Sequence, residues 1–272
     1  LRPSIVILTF NSAGSLPATL ASIAGLTDDL HVVDSGSTDG TVAIAEQHGA
    51  QVAHHSFENY GKQRNWAIDT LPLRSPWQLH LDADERLTPE LRAEILALPD
   101  EPAVAGYHLP RLLQFMGRIL HHGGMNPTWH MRLFRNGAGR CEQREYDQHF
   151  LCNGPTAPLR GMMIDDIRMS LSEWTARHNR WADAEVRELL ARRSEGRVQG
   201  RLFGNNIERK RYLRGLYQQT PLFVRPYVLF LYRYVLCLGF LDGMEGFIFY
   251  TLQTFWFRFL IDAKMYETRN KR

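Results

Sequence analysis

Trp77-Gln78-Leu79-His80-Leu81-Asp82-Ala83-Asp84-Glu85 is the stretch on which the reading of this chain turns. An apolar run of strand length ends in two carboxylates one residue apart, and a third acid follows. A strand that finishes in Asp-x-Asp brings hard oxygen ligands to the rim of a sheet, where they suit Mg²⁺ or Mn²⁺ against a diphosphate. The same triplet also occurs in solvated turns, so the surrounding sequence has to carry the assignment.

Outward from that stretch, short β-rich runs alternate with helical segments. Ser4-Ile5-Val6-Ile7-Leu8-Thr9 reads as a buried strand, after which Ser15 and Pro17 open a helix bearing Leu16, Leu20 and Ile23. Leu30-His31-Val32-Val33 is the next strand. Ser37 or Thr38 caps the helix that closes at Gly49, with Asp39 as the alternative cap. Residues 51–55 form a third strand, 62–71 a helix and 77–81 the fourth strand; Thr88-Pro89-Glu90 then starts a helix over 91–98. This order predicts an α/β fold, a mostly parallel sheet with helices on both faces. Ligands bind such sheets beyond the carboxyl ends of the strands. Asn11, Asp34 and Asp82 all fall just past a predicted strand end and are expected to converge on one crevice.

Beyond residue 105 the pattern is less regular. Strands are expected over 106–113 and 129–134, with Gly123-Gly124-Met125-Asn126-Pro127 as a loop between them. Ser170-Leu171-Ser172-Glu173 is a capping box opening a long helix toward Arg193. From residue 221 to 262 the chain becomes rich in Phe, Tyr, Leu and Trp. Arg233, Asp242, Glu245 and Arg258 interrupt it, and no uncharged run reaches spanning length. The expectation is a C-terminal amphipathic helical segment associated with a membrane interface, with a tight helical hairpin inserted in one leaflet as a variant, or else a packed subdomain or homo-oligomer contact. The expected division is residues 1–195 and a basic, aromatic helical region over 196–272.

With 272 residues the chain can bury a full core. Its net charge of +3 and pI near 8.8 are only mildly basic, but Arg187, Arg192, Arg193, Arg197, Arg201, Arg209, Lys210, Arg211 and Arg214 crowd one stretch. Such a block suits phosphate-rich partners. It adjoins an apolar segment rather than a groove-reading motif, which disfavours nucleic acid. Cys141, Cys152 and Cys237 show no C-x-x-C spacing, so reduced thiols in a cytoplasmic setting and no zinc are expected. The first apolar run is too short and wrongly flanked for a signal peptide.

Four elements bear on chemistry at a nucleotide sugar. Thr9-Phe10-Asn11 contacts a base or ribose, or is an ordinary helix-entry loop. Asp34-Ser35-Gly36-Ser37-Thr38-Asp39-Gly40 pairs a strand-end carboxylate with a small-residue turn that admits a nucleoside. Gly61-Lys62-Gln63-Arg64-Asn65 opens a helix whose N-terminus and cations suit a diphosphate, or is a solvated basic turn. The Asp82-Ala83-Asp84 triplet completes the set.

Taken together these segments resemble family 2 glycosyltransferases of the GT-A fold, in order and in spacing over roughly the first 100 residues. Leu81 to Arg86 and Gly239-Phe240-Leu241-Asp242-Gly243 narrow the resemblance toward bacterial enzymes of lipopolysaccharide core or exopolysaccharide assembly. The resemblance implies transfer from a nucleotide diphosphate sugar with inversion, onto a lipid-linked glycan or lipopolysaccharide acceptor at the cytoplasmic face of the bacterial inner membrane. It implies that Asp34 holds the nucleoside, that Asp82 lies near the ribose or diphosphate, and that Asp84 is the principal metal ligand. Inversion needs a base for the acceptor hydroxyl; Asp147 is preferred and Glu145 is second, because the His-Glu pair common in relatives is missing. Asp165 stands where relatives tend to place a metal-binding His. Arg177-His178-Asn179-Arg180-Trp181 resembles the Gln-x-x-Arg-Trp motif of processive members, which puts Arg180 and Trp181 at the donor or acceptor, or else on a structural helix. The rival readings are a polyprenyl-phosphate sugar synthase, a sugar nucleotidyltransferase, for which the loop after the first strand lacks the glycines, and a non-catalytic sugar-nucleotide or glycan-binding module.

Overall fold

The computed structural model describes residues 1–142, 148–191 and 206–270. It divides into two compact units. The first comprises Leu1–Ile119 with residues 127–142 and 148–168; the second comprises residues 120–126, 169–191 and 206–270.

In the first unit the opening alternation is present: β1 (Ser4–Thr9), α1 (Leu16–Ser22), β2 (Leu30–Asp34), α2 (Thr41–Gln47), β3 (Gln51–His54), α3 (Tyr60–Thr70) and β4 (Trp77–Asp82). The strands lie in the order β3-β2-β1-β4, all parallel. Period-two alternation along β1 sends Ile5 and Ile7 to one face, where Leu16, Leu20 and Ala45 from α1 and α2 cover them. Val6 and Leu8 turn to the other face and meet Ala67 of α3. Helices therefore cover both faces, as expected of a buried parallel sheet.

After β4 come β5 (Glu85–Leu87), α4 (Pro89–Ala97), β6 (Gly106–Phe115), β7 (Arg118–Ile119), β8 (Thr128–Arg135), β9 (Gly139–Cys141), β10 (Phe150–Cys152), β11 (Thr156–Pro158) and β12 (Met163–Ile167). Here the sheet is mixed rather than mostly parallel. β8 runs antiparallel to both β4 and β6, while β12 lies parallel to β6 and antiparallel to β5. The reason is connection length: β6 and β8 are joined without a crossover helix, so they pair as neighbours in opposite directions. β12 is inserted between β6 and β5, which sets Asp165 directly opposite Glu85.

The second unit is helical: α5 (Leu171–Ala191), α6 (Asn206–Gln219), α7 (Arg225–Leu231), α8 (Gly243–Tyr250) and α9 (Phe257–Asn270). The capping box forms as read, with Ser170 Oγ accepting from the Glu173 amide at 3.2 Å and Glu173 accepting from the Ser170 amide at 2.9 Å. Ala182 and Val186 of α5 pack on Phe257, Ile261 and Met265 of α9. A π-helical turn (Tyr232–Leu236) extends α7, and a second (Thr251–Trp256) joins α8 to α9. Among the described residues no single helix is long and apolar enough to cross a membrane.

Candidate functional site

The carboxyl ends of β1, β2 and β4 are held in register. Thr9 pairs with Asp34 and Leu8 with Asp82, so the two carboxylates flank the end of the central strand β1. At that end Phe10 is 61% exposed, and Asn11 takes up the left-handed region at φ 46°. Asn is one of the few residues that does so at small cost, and here its side chain explains why. Asn11 Oδ1 accepts from the Thr38 amide at 2.8 Å, while the Asn11 amide donates to Ser37 Oγ at 2.8 Å. Asp39 accepts from the Ala13 amide at 3.1 Å and from the Thr41 amide at 3.0 Å, so it is Asp39 that serves the start of α2. The two loops that follow β1 and β2 are thus one laced surface.

Asp34 is buried and builds that surface. Its carboxylate accepts from the amides of Gly36 (2.9 Å) and Ser37 (2.8 Å), from Thr9 Oγ1 (3.0 Å) and from Ser37 Oγ. Burial opposes its charge, but the Ser37, Gly36 and Thr9 hydrogen bonds outweigh it and hold the carboxyl below its ordinary range. Gln63 of α3 braces the same loop, donating to Ser35 Oγ at 3.1 Å.

Asp82 belongs to an ionic cluster. Arg64 Nη2 donates to Asp82 Oδ1 at 2.6 Å, and Arg132 Nη2 donates to Asp82 Oδ2 at 2.9 Å and to the buried Glu85 at 2.5 Å. Glu85 also accepts from the Asp82 amide at 2.9 Å, and Arg111 bridges Glu85 (3.5 Å) to Asp165 (3.0 Å). Burial raises the Asp82 carboxyl, yet the Arg64 and Arg132 charges prevail and hold it down at about 2. It is ionised throughout the physiological range. Burial and the same two guanidiniums push His80 well below its usual value, so it is a neutral ring stacked on Phe134. Two buried guanidinium nitrogens, Arg64 Nη1 and Arg132 Nε, have no hydrogen-bond partner among the described residues. The cluster retains cationic donor capacity beside a strand-end carboxylate that is 28% exposed.

The position of Arg64 follows from the start of α3. Asn59 caps the helix by accepting from the Lys62 amide at 2.9 Å. Gly61 has no room for a side chain, since a Cβ there would lie 2.5 Å from the Glu142 carbonyl oxygen. Arg64 is turned inward to Asp82 and Asn65 ties its amide to both backbone groups of Cys141 (2.9 and 3.0 Å), while Lys62 is exposed and pairs with Glu58. Of the basic helix entry, Arg64 joins the cluster, Asn65 is a structural tie and Lys62 lies at the surface.

The pairing of β12 with β5 sets Asp165 against Glu85, and it is Asp166, not Asp165, that meets Asp84. The Asp166 amide donates to the Asp84 carbonyl at 3.0 Å, and Ala83 and Asp84 form the tight turn between β4 and β5. Among the described residues no three His, Cys, Asp or Glu side chains are arranged to hold a metal ion. Mg²⁺ is commonly held by one or two carboxylates together with substrate phosphates, and the half-buried strand-end Asp84 is of the residue type that mode would use, while arginines engage Asp82 and Asp165 as well. Glu145 and Asp147 lie outside the described residues. Arg180 and Trp181 belong to the second unit, where Arg180 is exposed and Trp181 packs against the α5–α9 core under the Arg177 guanidinium, 4.7 Å from its ring centre. Sequence reading missed Arg111 and Arg132. The available signal was a single charge between apolar neighbours in Met131-Arg132-Leu133.

Residues 4–167 match the family model described as Glycosyl transferase family 2. The chain belongs to that family. An uncharacterized glycosyltransferase of Rickettsia felis is 36% identical over 126 residues, 46% of this chain and 42% of its own length. The lipopolysaccharide core biosynthesis glycosyltransferase LpsC of Rhizobium meliloti is 29% identical over 145 residues, 50% of this chain and 52% of its own. The chain thus spans about half the length of the curated relatives it matches. Among solved structures it is similar to S. aureus TarS 1-349 in complex with UDP-GlcNAc, at 13% identity and a TM-score of 0.44 over 97% of this chain and 91% of that one.

Proposed function

We propose that this family 2 chain is an inverting glycosyltransferase that moves a sugar from a nucleotide diphosphate sugar to a lipopolysaccharide or other lipid-linked glycan acceptor, at the cytoplasmic face of the bacterial inner membrane. The observation that carries the reading is the registered set of strand ends, which places Asp34 and Asp82 on either side of Thr9 and the exposed Phe10. That is where an α/β sheet binds its ligand. The name of LpsC supports the acceptor class.

In this reading Phe10 offers a face to the base, and the loop built on Asp34, Asn11 and Ser37 receives the nucleoside. Asp82 stays anionic between Arg64 and Arg132, and the spare guanidinium nitrogens behind it favour negative charge building on the departing diphosphate. Asp84 would hold Mg²⁺ or Mn²⁺, with Asp165 and the Arg111 that engages it alongside; a bound cation would neutralise the leaving diphosphate. Asp147 is proposed as the base that takes the acceptor proton, with Glu145 as the substitute.

The test is a donor screen that measures nucleoside diphosphate release from UDP-, GDP- and dTDP-sugars with Mg²⁺ and with Mn²⁺. One donor class turning over in a metal-dependent way is the expected result. Folded protein that neither binds nor turns over any of them would overturn the proposal.

A further inference from the structure

The second unit carries an apolar surface that the sugar-transfer chemistry does not use. Along α7 and its π-helical extension, Tyr227, Val228, Leu231, Tyr232, Val235 and Leu236 recur at three- and four-residue spacing, and all are exposed, Leu236 to 73%. The chain then reverses at Leu238, whose φ is 60°. On the far side Phe240, Leu241, Met244 and Phe247 continue the pattern and are also exposed. Exposed apolar side chains in such number along one short stretch exceed what a soluble monomer scatters over its surface.

Arg233 and Asp242, two of the charges in this stretch, are turned inward, while Glu245 is half-buried. Between Pro226 and Leu241 the only charged residue is Arg233, and its guanidinium donates to the carbonyls of Gly123 (3.0 Å) and Gly124. Asp242 is buried and accepts from the amides of His121 and His122, both at 3.0 Å, and from the His122 ring at 2.8 Å. Tyr250 closes the same knot by donating to the His122 carbonyl at 2.7 Å. Gly123 is required there, because a Cβ would lie 2.3 Å from the Tyr250 ring. The reversal is therefore a built, polar-cored hairpin with an apolar outside.

We infer that this hairpin seats in the outer part of one lipid leaflet, and that the occupant of the apolar face is an anionic phospholipid monolayer. Two observations select lipid over a second copy or a soluble protein. The two arms, Arg225–Leu236 and Gly239–Asn270, bent by 71° at their junction, together have the length and apolar composition of a helix pair that enters a membrane. The apolar face is also preceded in sequence by the basic block Arg187 to Arg214, which matches the negative potential of anionic headgroups. A protein-binding face, in contrast, carries a polar rim around a smaller apolar centre.

The inference deepens the proposed reaction by supplying the surface on which a lipid-linked acceptor is met, and it is tested apart from that reaction. The full chain is sedimented with vesicles of phosphatidylcholine, with and without phosphatidylglycerol, alongside Leu231→Glu/Leu236→Glu. The wild type is expected to co-sediment more strongly with the anionic vesicles, and the double variant to lose partitioning by on the order of 100-fold. Both positions are exposed, so the variant should keep its circular dichroism melt and its nucleoside diphosphate release. Leu236→Trp read with brominated lipids gives a second measure, with quenching expected. Wild type that stays in the supernatant with both vesicles overturns the inference, whether it is then a dimer or a monomer by light scattering. So does a double variant that sediments like wild type.

Discussion

The Asp82-Glu85-Arg64-Arg132 cluster of the first unit and the Arg225-Asp262 pair of the second are both built from ions withdrawn from water, yet only one keeps an open side. In the second unit Arg225 Nε donates to Asp262 at 2.9 Å, Nη2 donates to the same carboxylate, and Nη1 donates to the Gln218 carbonyl at 3.3 Å. Asp262 also accepts from the Phe223 amide at 2.8 Å, and its side chain is 1% exposed. Each guanidinium nitrogen has a partner and the pair is sealed. In the first unit two guanidinium nitrogens are unpartnered among the described residues, and Asp82 is 28% exposed. A sealed pair of this kind fixes structure, whereas an unsealed cluster at strand ends has capacity left for a ligand.

Arg132→Ala breaks the comparison hardest. It strips a partner from both Asp82 and Glu85, and a loss of about 3–5 kcal/mol in urea unfolding is expected, together with loss of donor turnover. Arg225→Ala should destabilise by about 3 kcal/mol, leaving Asp262 buried and unpaired, but should spare turnover by the folded fraction. If turnover falls in step with Arg132→Ala, the sealed pair is not merely structural.

Acid sharpens the contrast more gently. The Asp82 carboxyl is lowered from 3.8 to about 2, so the contribution it makes is complete above pH 3.8 and lost as the pH falls toward about 2. That contribution is about 2 kcal/mol. The stability gap between wild type and Asp82→Asn should therefore hold from neutrality to about pH 4 and narrow below it. A gap that widens on acidification would contradict the pairing. The smallest effect is expected from Phe10→Ala, a rise of about fivefold in donor KM with kcat little changed, corresponding to about 1 kcal/mol of base stacking.

Much of the first unit could be read from the sequence because its signals are local. Ile5 and Ile7 against Val6 and Leu8, and Thr88 before Pro89, each act within a few residues, as Ser170 with Glu173 does in the second unit. Asp34 and Asp82 were legible as strand-end carboxylates for the same reason. Arg111 and Arg132 were not, since they come from strands whose neighbours are set by tertiary pairing rather than by pattern. The strands β6 and β8 were legible, but the insertion of β12 between β6 and β5 left no local trace, and so the pairing of this mixed half of the sheet went unread. In the C-terminal stretch the apolar character was plain, but the inward turning of Arg233 and Asp242 became visible only with Gly123, Gly124 and His122 in place.

The most direct test is calorimetric titration of the nucleoside diphosphate released in the donor screen, with Mn²⁺ present, into wild type and Asp84→Asn. The strand-end assignment predicts binding to wild type and a loss of at least about tenfold in the variant, roughly 1.4 kcal/mol, with an unchanged melting temperature. Equal affinity in the two proteins would contradict it.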